Sequence, residues 1–282
     1  MRFARLGAAG AEIPVVIDAG RTLDLRPVTA DIDGAFLADG GVERARAAVA
    51  ASSLPELPDA ASLRVGSPIA RPSAVYCIGM NYAAHAAESG SEPPTQLVMF
   101  MKSPNTVVGP FDDVTIPRGS AKTDWEVELG IVIGARASYL DSAADASAHI
   151  AGYVTVNDLS ERDWQLATSG GQWSKGKSAP GFCPTGPWLV TGDDVDADDV
   201  RLRSFVNGEP RQDSRTSDLI FGIDTIVWQL SQVLALEPGD LVLTGTPEGV
   251  ALSGRFPYLA PGDVVELEID GLGRQRQSYV SA

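Results

Sequence analysis

Residues 123–133 read Thr-Asp-Trp-Glu-Val-Glu-Leu-Gly-Ile-Val-Ile, an alternation of acidic and apolar side chains that an extended strand sorts onto two faces. Trp125, Val127, Leu129 and Ile131 share one side, and Asp124, Glu126 and Glu128 share the other. Neighbours on one face stand ~6–7 Å apart, so three carboxylates in a row repel one another unless water or a cation lies between them. Taken alone, the segment leaves two readings open: a solvated outer face or a metal site. A further carboxylate, Asp158, ends the apolar run Val154-Thr155-Val156-Asn157 and tilts the balance toward a site. Oxygen-only ligands with no nearby His or Cys pair favour a hard cation, Mg²⁺ first and Mn²⁺ next, over zinc.

The rest of the chain repeats short β signals. Apolar runs at residues 14–18, 74–79, 97–101, 114–117, 241–243 and 264–269 are bounded by glycine, proline or serine, and Asn207-Gly208 reads as a tight hairpin. Helical patterns cover residues 42–51, open at Asn81 and recur at 224–234. Many short strands with few helices predict an α+β chain, mainly β. Residues 1–68 read as a small N-terminal α+β domain and 69–282 as the catalytic domain, with a Pro- and Ser-containing linker over 66–73. No repeat or low-complexity tract is present.

With 282 residues, 44% of them hydrophobic, the chain is long enough to bury a core. Its formal net charge of −15 repels phosphate backbones and anionic membranes, which argues against nucleic acid or a membrane surface as partner. The same charge means that an anionic substrate needs local positive charge. No run approaches the roughly 18–20 apolar residues of a membrane span. The basic start resembles a signal segment, but its apolar stretch fails by Glu12, so a cytoplasmic protein is expected. Cys77 and Cys183 lie far apart in no CxxC spacing, consistent with a reducing compartment.

Of the two histidines, His149 has no motif around it and reads as a surface residue. His85 lies three residues before Glu88, which on a helix brings the side chains together. Such a pair is either an ordinary surface contact or a carboxylate-oriented base acting on water. Residues 171–178 match GxxxxGK[ST], but Ala179-Pro180-Gly181 cannot carry the helix that a phosphate loop needs, so nucleotide binding is rejected.

Five ordered segments together resemble the fumarylacetoacetate hydrolase family. They are residues 79–85 with Glu88, residues 124–130, residues 157–163 with Gln165, Gly176-Lys177-Ser178, and residues 243–247. The resemblance implies a mixed β-roll catalytic domain, a homodimer or higher assembly, and one Mg²⁺ or Mn²⁺ per subunit on Glu126, Glu128 and Asp158. It further implies His85 and Glu88 as a water-activating dyad, Lys177 as a catalytic contact, and Gln165, Arg162 and Thr246 as substrate-binding residues, with Asp124 behind the ligands. The implied activity is hydrolysis of a carbon–carbon bond in a small 2-oxo acid, with wording similar to hydrolases of 2,4-dioxo-3-deoxy sugar acids and acylpyruvates. Oxaloacetate decarboxylation and dioic-acid isomerisation or hydration are alternatives on the same site, and a non-catalytic metal-binding protein is the competing class. Ser169-Gly170-Gly171, ahead of Lys177, lacks the aromatic contact that some relatives place there, which argues against an aromatic or bulky substrate.

Overall fold

Short apolar runs become strands throughout the computed structural model, which describes residues 1–282. The main sheet has nine strands in the order Arg21–Asp24, Ile13–Asp18, Arg2–Leu6, Leu189–Val190, Ile150–Asn157, Val127–Ile133, Leu241–Leu243, Val75–Gly79 and Val98–Lys102. A second sheet of five runs Glu209–Arg215, Arg201–Val206, Val264–Ile269, Gly273–Ser281 and Val114–Ile116. Asn207 and Gly208 both take positive φ (54° and 81°), the geometry of a two-residue hairpin turn, and join Arg201–Val206 to Glu209–Arg215. The chain is therefore α+β and mainly β, as its turn signals predict.

Val127–Ile133 is the pivot of the architecture. It pairs antiparallel with Ile150–Asn157 on one side and Leu241–Leu243 on the other, and every residue in it is buried. Val127, Leu129, Ile131 and Ile133 face Leu202, Val265 and Leu267 of the second sheet and the Ile226–Leu230 stripe of helix Ile223–Ser231. Val132, on the opposite face, joins a cluster with Val75 and Leu241 that also contains Phe3, Val16 and Phe36. Burying one such side chain contributes about 1.5–3 kcal/mol.

Two sequence expectations change here. The acidic alternation is real, but its face is an interior one: Asp124, Glu126 and Glu128 are all buried, which removes the solvated-face reading. The run is also two strands. Thr123–Asp124 pairs with Ser160–Glu161, and the long strand begins only at Val127. Between them side chains replace ladder bonds, with Asp124 accepting from the Trp125 N–H (2.9 Å) and Asn157 Oδ1 from the Glu126 N–H (3.1 Å).

The first three strands extend the main sheet through Arg2–Leu6, which pairs with Leu189–Val190. Residues 66–70, read as linker, form a buried strap in which Arg5 Nη1 donates to Ser67 O (3.1 Å) and Ser67 Oγ to Ile69 O (3.1 Å). The nucleotide-loop pattern collapses into one helical turn, Ser174–Lys177, where a Cβ on Gly176 would lie 2.4 Å from Glu161 O. No helix is long and apolar enough to cross a membrane.

Candidate active site

Strand register starts the assembly. Val156 pairs with Glu128 and Asn157 with Val127, so the chain leaving Ile150–Asn157 sets Asp158 beside Glu126, where the Asp158 N–H donates to Glu126 O (3.0 Å). Carboxylate oxygens of Glu126, Glu128 and Asp158 lie within 4.8 Å of one another, and all three residues are buried. Oxygen donors this close fit a hard divalent cation of the Mg²⁺ or Mn²⁺ type.

The two glutamates, Glu126 just before the long strand and Glu128 on it, are electrostatically unlike. Burial opposes charge on Glu126, but Lys177 and Arg162 outweigh it and hold the carboxyl below its ordinary range. Burial pushes the Glu128 carboxyl well above that range, with Asp158 and Glu126 adding to the effect. The Gly245 N–H, 2.8 Å from Glu128 Oε2, offsets this only in part.

Three buried cations balance the carboxylates. Lys177 Nζ lies 2.7 Å from both Glu126 Oε2 and Asp158 Oδ2; burial opposes its charge, and Asp158 and Glu126 reverse the balance. Lys102 Nζ donates to Asp158 Oδ1 (2.6 Å) and Leu159 O (2.9 Å). Arg162 donates from Nε to Asp124 Oδ2 (2.8 Å) and from Nη1 to Gln165 Oε1 (2.9 Å), while Nη2 sits 2.7 Å from Glu126 Oε1 without hydrogen-bond geometry.

His85 and Glu88 share the short helix Ala83–Glu88, with Nδ1 3.7 Å from Glu88 Oε2, longer than a hydrogen bond. Glu88 is fixed from elsewhere: the Gly249 N–H reaches both its oxygens (3.0 and 3.2 Å). Burial raises the Glu88 carboxyl, but His85 and that N–H together bring it below its ordinary range. His149 lies apart, its Nδ1 3.3 Å from Ala135 O.

These groups open on a cavity of about 250 Å³, the share of roughly eight water molecules. Every sequence-assigned residue lines it except Asp158, which stands behind Lys177. Not all are free. The Thr246 hydroxyl donates to Val127 O (2.9 Å) and accepts from Gln212 Nε2 (2.7 Å), so its proton is already committed. Arg162 is engaged through Nε and Nη1 while its Nη2 has no hydrogen-bond partner, and the Gln165 amide, held through its oxygen, keeps its NH₂ without a protein partner. The wall ahead of Lys177 is aromatic after all. Trp173 packs 5.5 Å from Phe100 and close enough to Gly79 that a Cβ there would meet its ring at 2.6 Å.

Sequence reasoning missed Lys102, whose only signal was a lysine closing an apolar strand. It also missed Gln212, which has no local signal at all: its Oε1 accepts from the Val127 N–H (3.0 Å) and it holds Thr246 from the hairpin. Cys77 and Cys183 are free and buried; burial pushes both thiols up, that of Cys183 to about 12.

A central buried carboxylate cluster on this two-sheet scaffold defines an acidic site able to hold a metal. Residues 74–280 match the family described as fumarylacetoacetate (FAA) hydrolase C-terminal, and the chain belongs to the fumarylacetoacetate hydrolase family. A Burkholderia ambifaria protein with only a provisional hydrolase designation is 44% identical over 287 residues, spanning all of both chains. Fumarylacetoacetate hydrolase from psychrophilic Exiguobacterium antarcticum has 33% identity and a TM-score of 0.86 over the whole of both chains. Maleylpyruvate hydrolase from Sphingobium sp. SYK-6, solved with manganese(II) and pyruvate, has 27% identity and a TM-score of 0.82, again over the whole of both.

Proposed function

We propose that the protein is a hydrolase that cleaves the C3–C4 bond of a 2,4-dioxo acid, such as a 2,4-diketo-3-deoxy sugar acid or an acylpyruvate, giving pyruvate and a second acid. The observation that carries this reading is one small cavity lined by His85 and Glu88 together with Glu126, Glu128 and Lys177. Glu126, Glu128 and Asp158 would hold Mg²⁺ or Mn²⁺, which supplies a Lewis acid for the 2-oxo acid and its developing enolate charge. The chain's own groups do the rest. Gln165 offers its NH₂ to a substrate oxygen, and Lys177 adds positive charge beside the enolate. His85 takes a proton from water at Nε2, with Nδ1 turned toward Glu88. The hydroxyl adds to the C4 carbonyl, the C3–C4 electron pair leaves as pyruvate enolate, and a proton returned to C3 completes pyruvate. The same proposal includes a homodimer, and a one-chain mass in light scattering would remove that part.

Acetylpyruvate with Mn²⁺ should release one pyruvate per turnover in a lactate dehydrogenase-coupled assay, and His85→Ala should lower that rate by about 10²–10⁴-fold. No pyruvate from any of a panel of 2,4-dioxo acids would sink the reading. The 3.7 Å gap between His85 and Glu88 supports a second reading, decarboxylation of oxaloacetate through the same enolate, which needs no activated water. Under that reading His85→Ala spares turnover of oxaloacetate.

A further inference from the structure

Asp124 is neither one of the three candidate ligands nor a residue lining the cavity, yet it is completely buried and accepts four hydrogen bonds. Oδ1 takes the N–H groups of Trp125 and Ala251 (both 2.9 Å); Oδ2 takes the Leu252 N–H (2.9 Å) and Arg162 Nε (2.8 Å). That fills the roughly four acceptor positions of a carboxylate. Its partners divide into two arms that end on different walls of the cavity.

One arm runs through Arg162, whose Nη1 fixes the Gln165 amide oxygen at 2.9 Å and so leaves the amide NH₂ for the cavity. An amide held this way presents a donor and takes a substrate oxygen; released, it can rotate and present an acceptor instead. The other arm caps the turn Ala251–Ser253, from which Leu252 lines the cavity. Two residues before that turn, the Gly249 N–H holds Glu88. A single buried carboxylate thus ties the wall that binds the 2-oxo acid to the wall that carries the His85–Glu88 pair.

We propose that Asp124 is a positioning residue that acts through Arg162 to set the donor face of Gln165, its bonds from the Ala251 and Leu252 N–H groups serving to hold the carboxylate in place. The proposal rests on the hydrolase reading above. Asp124→Asn keeps the volume but replaces one acceptor oxygen by an NH₂ that meets N–H donors. Loss of a charge-assisted bond predicts a fall of about 10- to 100-fold in kcat/KM for acetylpyruvate.

The test is a double-mutant cycle of Asp124→Asn and Gln165→Leu, reading kcat and KM for acetylpyruvate, the pyruvate Kd of the Mn²⁺-loaded protein, and the Mn²⁺ Kd. Acting through Gln165 predicts that the double variant loses little more than either single one, and that Mn²⁺ affinity stays within about threefold of the wild type. Additive losses overturn the assignment, and so does a parallel loss of Mn²⁺ binding, which a general structural role would produce. Should Asp124→Asn not fold, Arg162→Lys keeps the charge and the caps at Ala251 and Leu252 but removes the fork to Gln165, and carries the same cycle. A wild-type protein that cleaves none of the panel of 2,4-dioxo acids and does not bind pyruvate overturns the hydrolase reading and this assignment with it. Wild-type activity with additive variants overturns this assignment alone.

Discussion

Two glutamates two residues apart, at the start of one strand, are held in opposite ways, and the difference comes from their partners. Glu126 has Lys177 and Arg162 against it, so burial loses to nearby positive charge. Glu128 has a backbone N–H and two neighbouring carboxylates, so burial wins and its carboxyl is pushed well above the ordinary range. A divalent cation reverses that balance, because it binds the ionised carboxylate. Below the raised Glu128 value, uptake of Mn²⁺ should therefore release protons, up to about one, and affinity should rise up to about tenfold per pH unit as pH increases toward that value. Calorimetry in buffers of different ionisation enthalpy measures the released proton directly. Zero release, or affinity that is flat with pH, contradicts a Glu128 held protonated without metal. Glu128→Gln should abolish the release along with most of the binding.

Between elements, the turn following Leu241–Leu243 is where backbone conformation and chemistry meet. Gly249 has φ +103°, and a Cβ there would lie 2.3 Å from Arg211 O, so any side chain displaces the turn whose N–H holds Glu88. Gly249→Ala should cost about 1–3 kcal/mol of stability, seen in urea unfolding. It should also lower acetylpyruvate hydrolysis more than oxaloacetate decarboxylation. Equal loss of both would place Glu88 outside water activation. This turn also marks what the sequence could show. Glu126 and Glu128 were legible because a strand's period is two, and Asp158 because an apolar run ended on it. Lys102 reaches Asp158 across 56 residues, and Gln212 reaches Val127 across 85, through contacts that no local pattern encodes. The break of the acidic run at Trp125 escaped for the same reason, since Asn157 and Asp124 supply the bonds the ladder lacks. The aromatic wall has no sign in Ser169-Gly170-Gly171, because Trp173, beyond that segment, turns back onto Gly79 and Phe100.

At the scale of the molecule, a chain of net charge −15 has to present a positive centre to an anionic acid. Its interior does not do so unaided. Asp124, Glu126 and Asp158 are matched by Lys102, Arg162 and Lys177, and burial disfavours charge on Glu128, so a divalent cation on these carboxylates would be what makes the centre positive. Glu128 sits on the strand that joins the two hydrophobic clusters, with Val127 and Leu129 in one and Val132 in the other, and Glu126 and Asp158 flank the ends of that strand and its neighbour. Relief of their repulsion is therefore felt by the whole fold. At a metal concentration 100 times Kd the folded state gains about 2.7 kcal/mol, and at roughly 2–4 °C per kcal/mol for a domain of this size Tm rises by about 5–10 °C. Thermal unfolding of chelator-treated protein, repeated with added Mn²⁺ and then Mg²⁺, measures the gain. Glu126→Ala should remove it while leaving the metal-free transition cooperative. If the shift survives in that variant, the cation binds elsewhere; if the wild type shows none with either metal, the carboxylate cluster is held by its lysines and arginine alone.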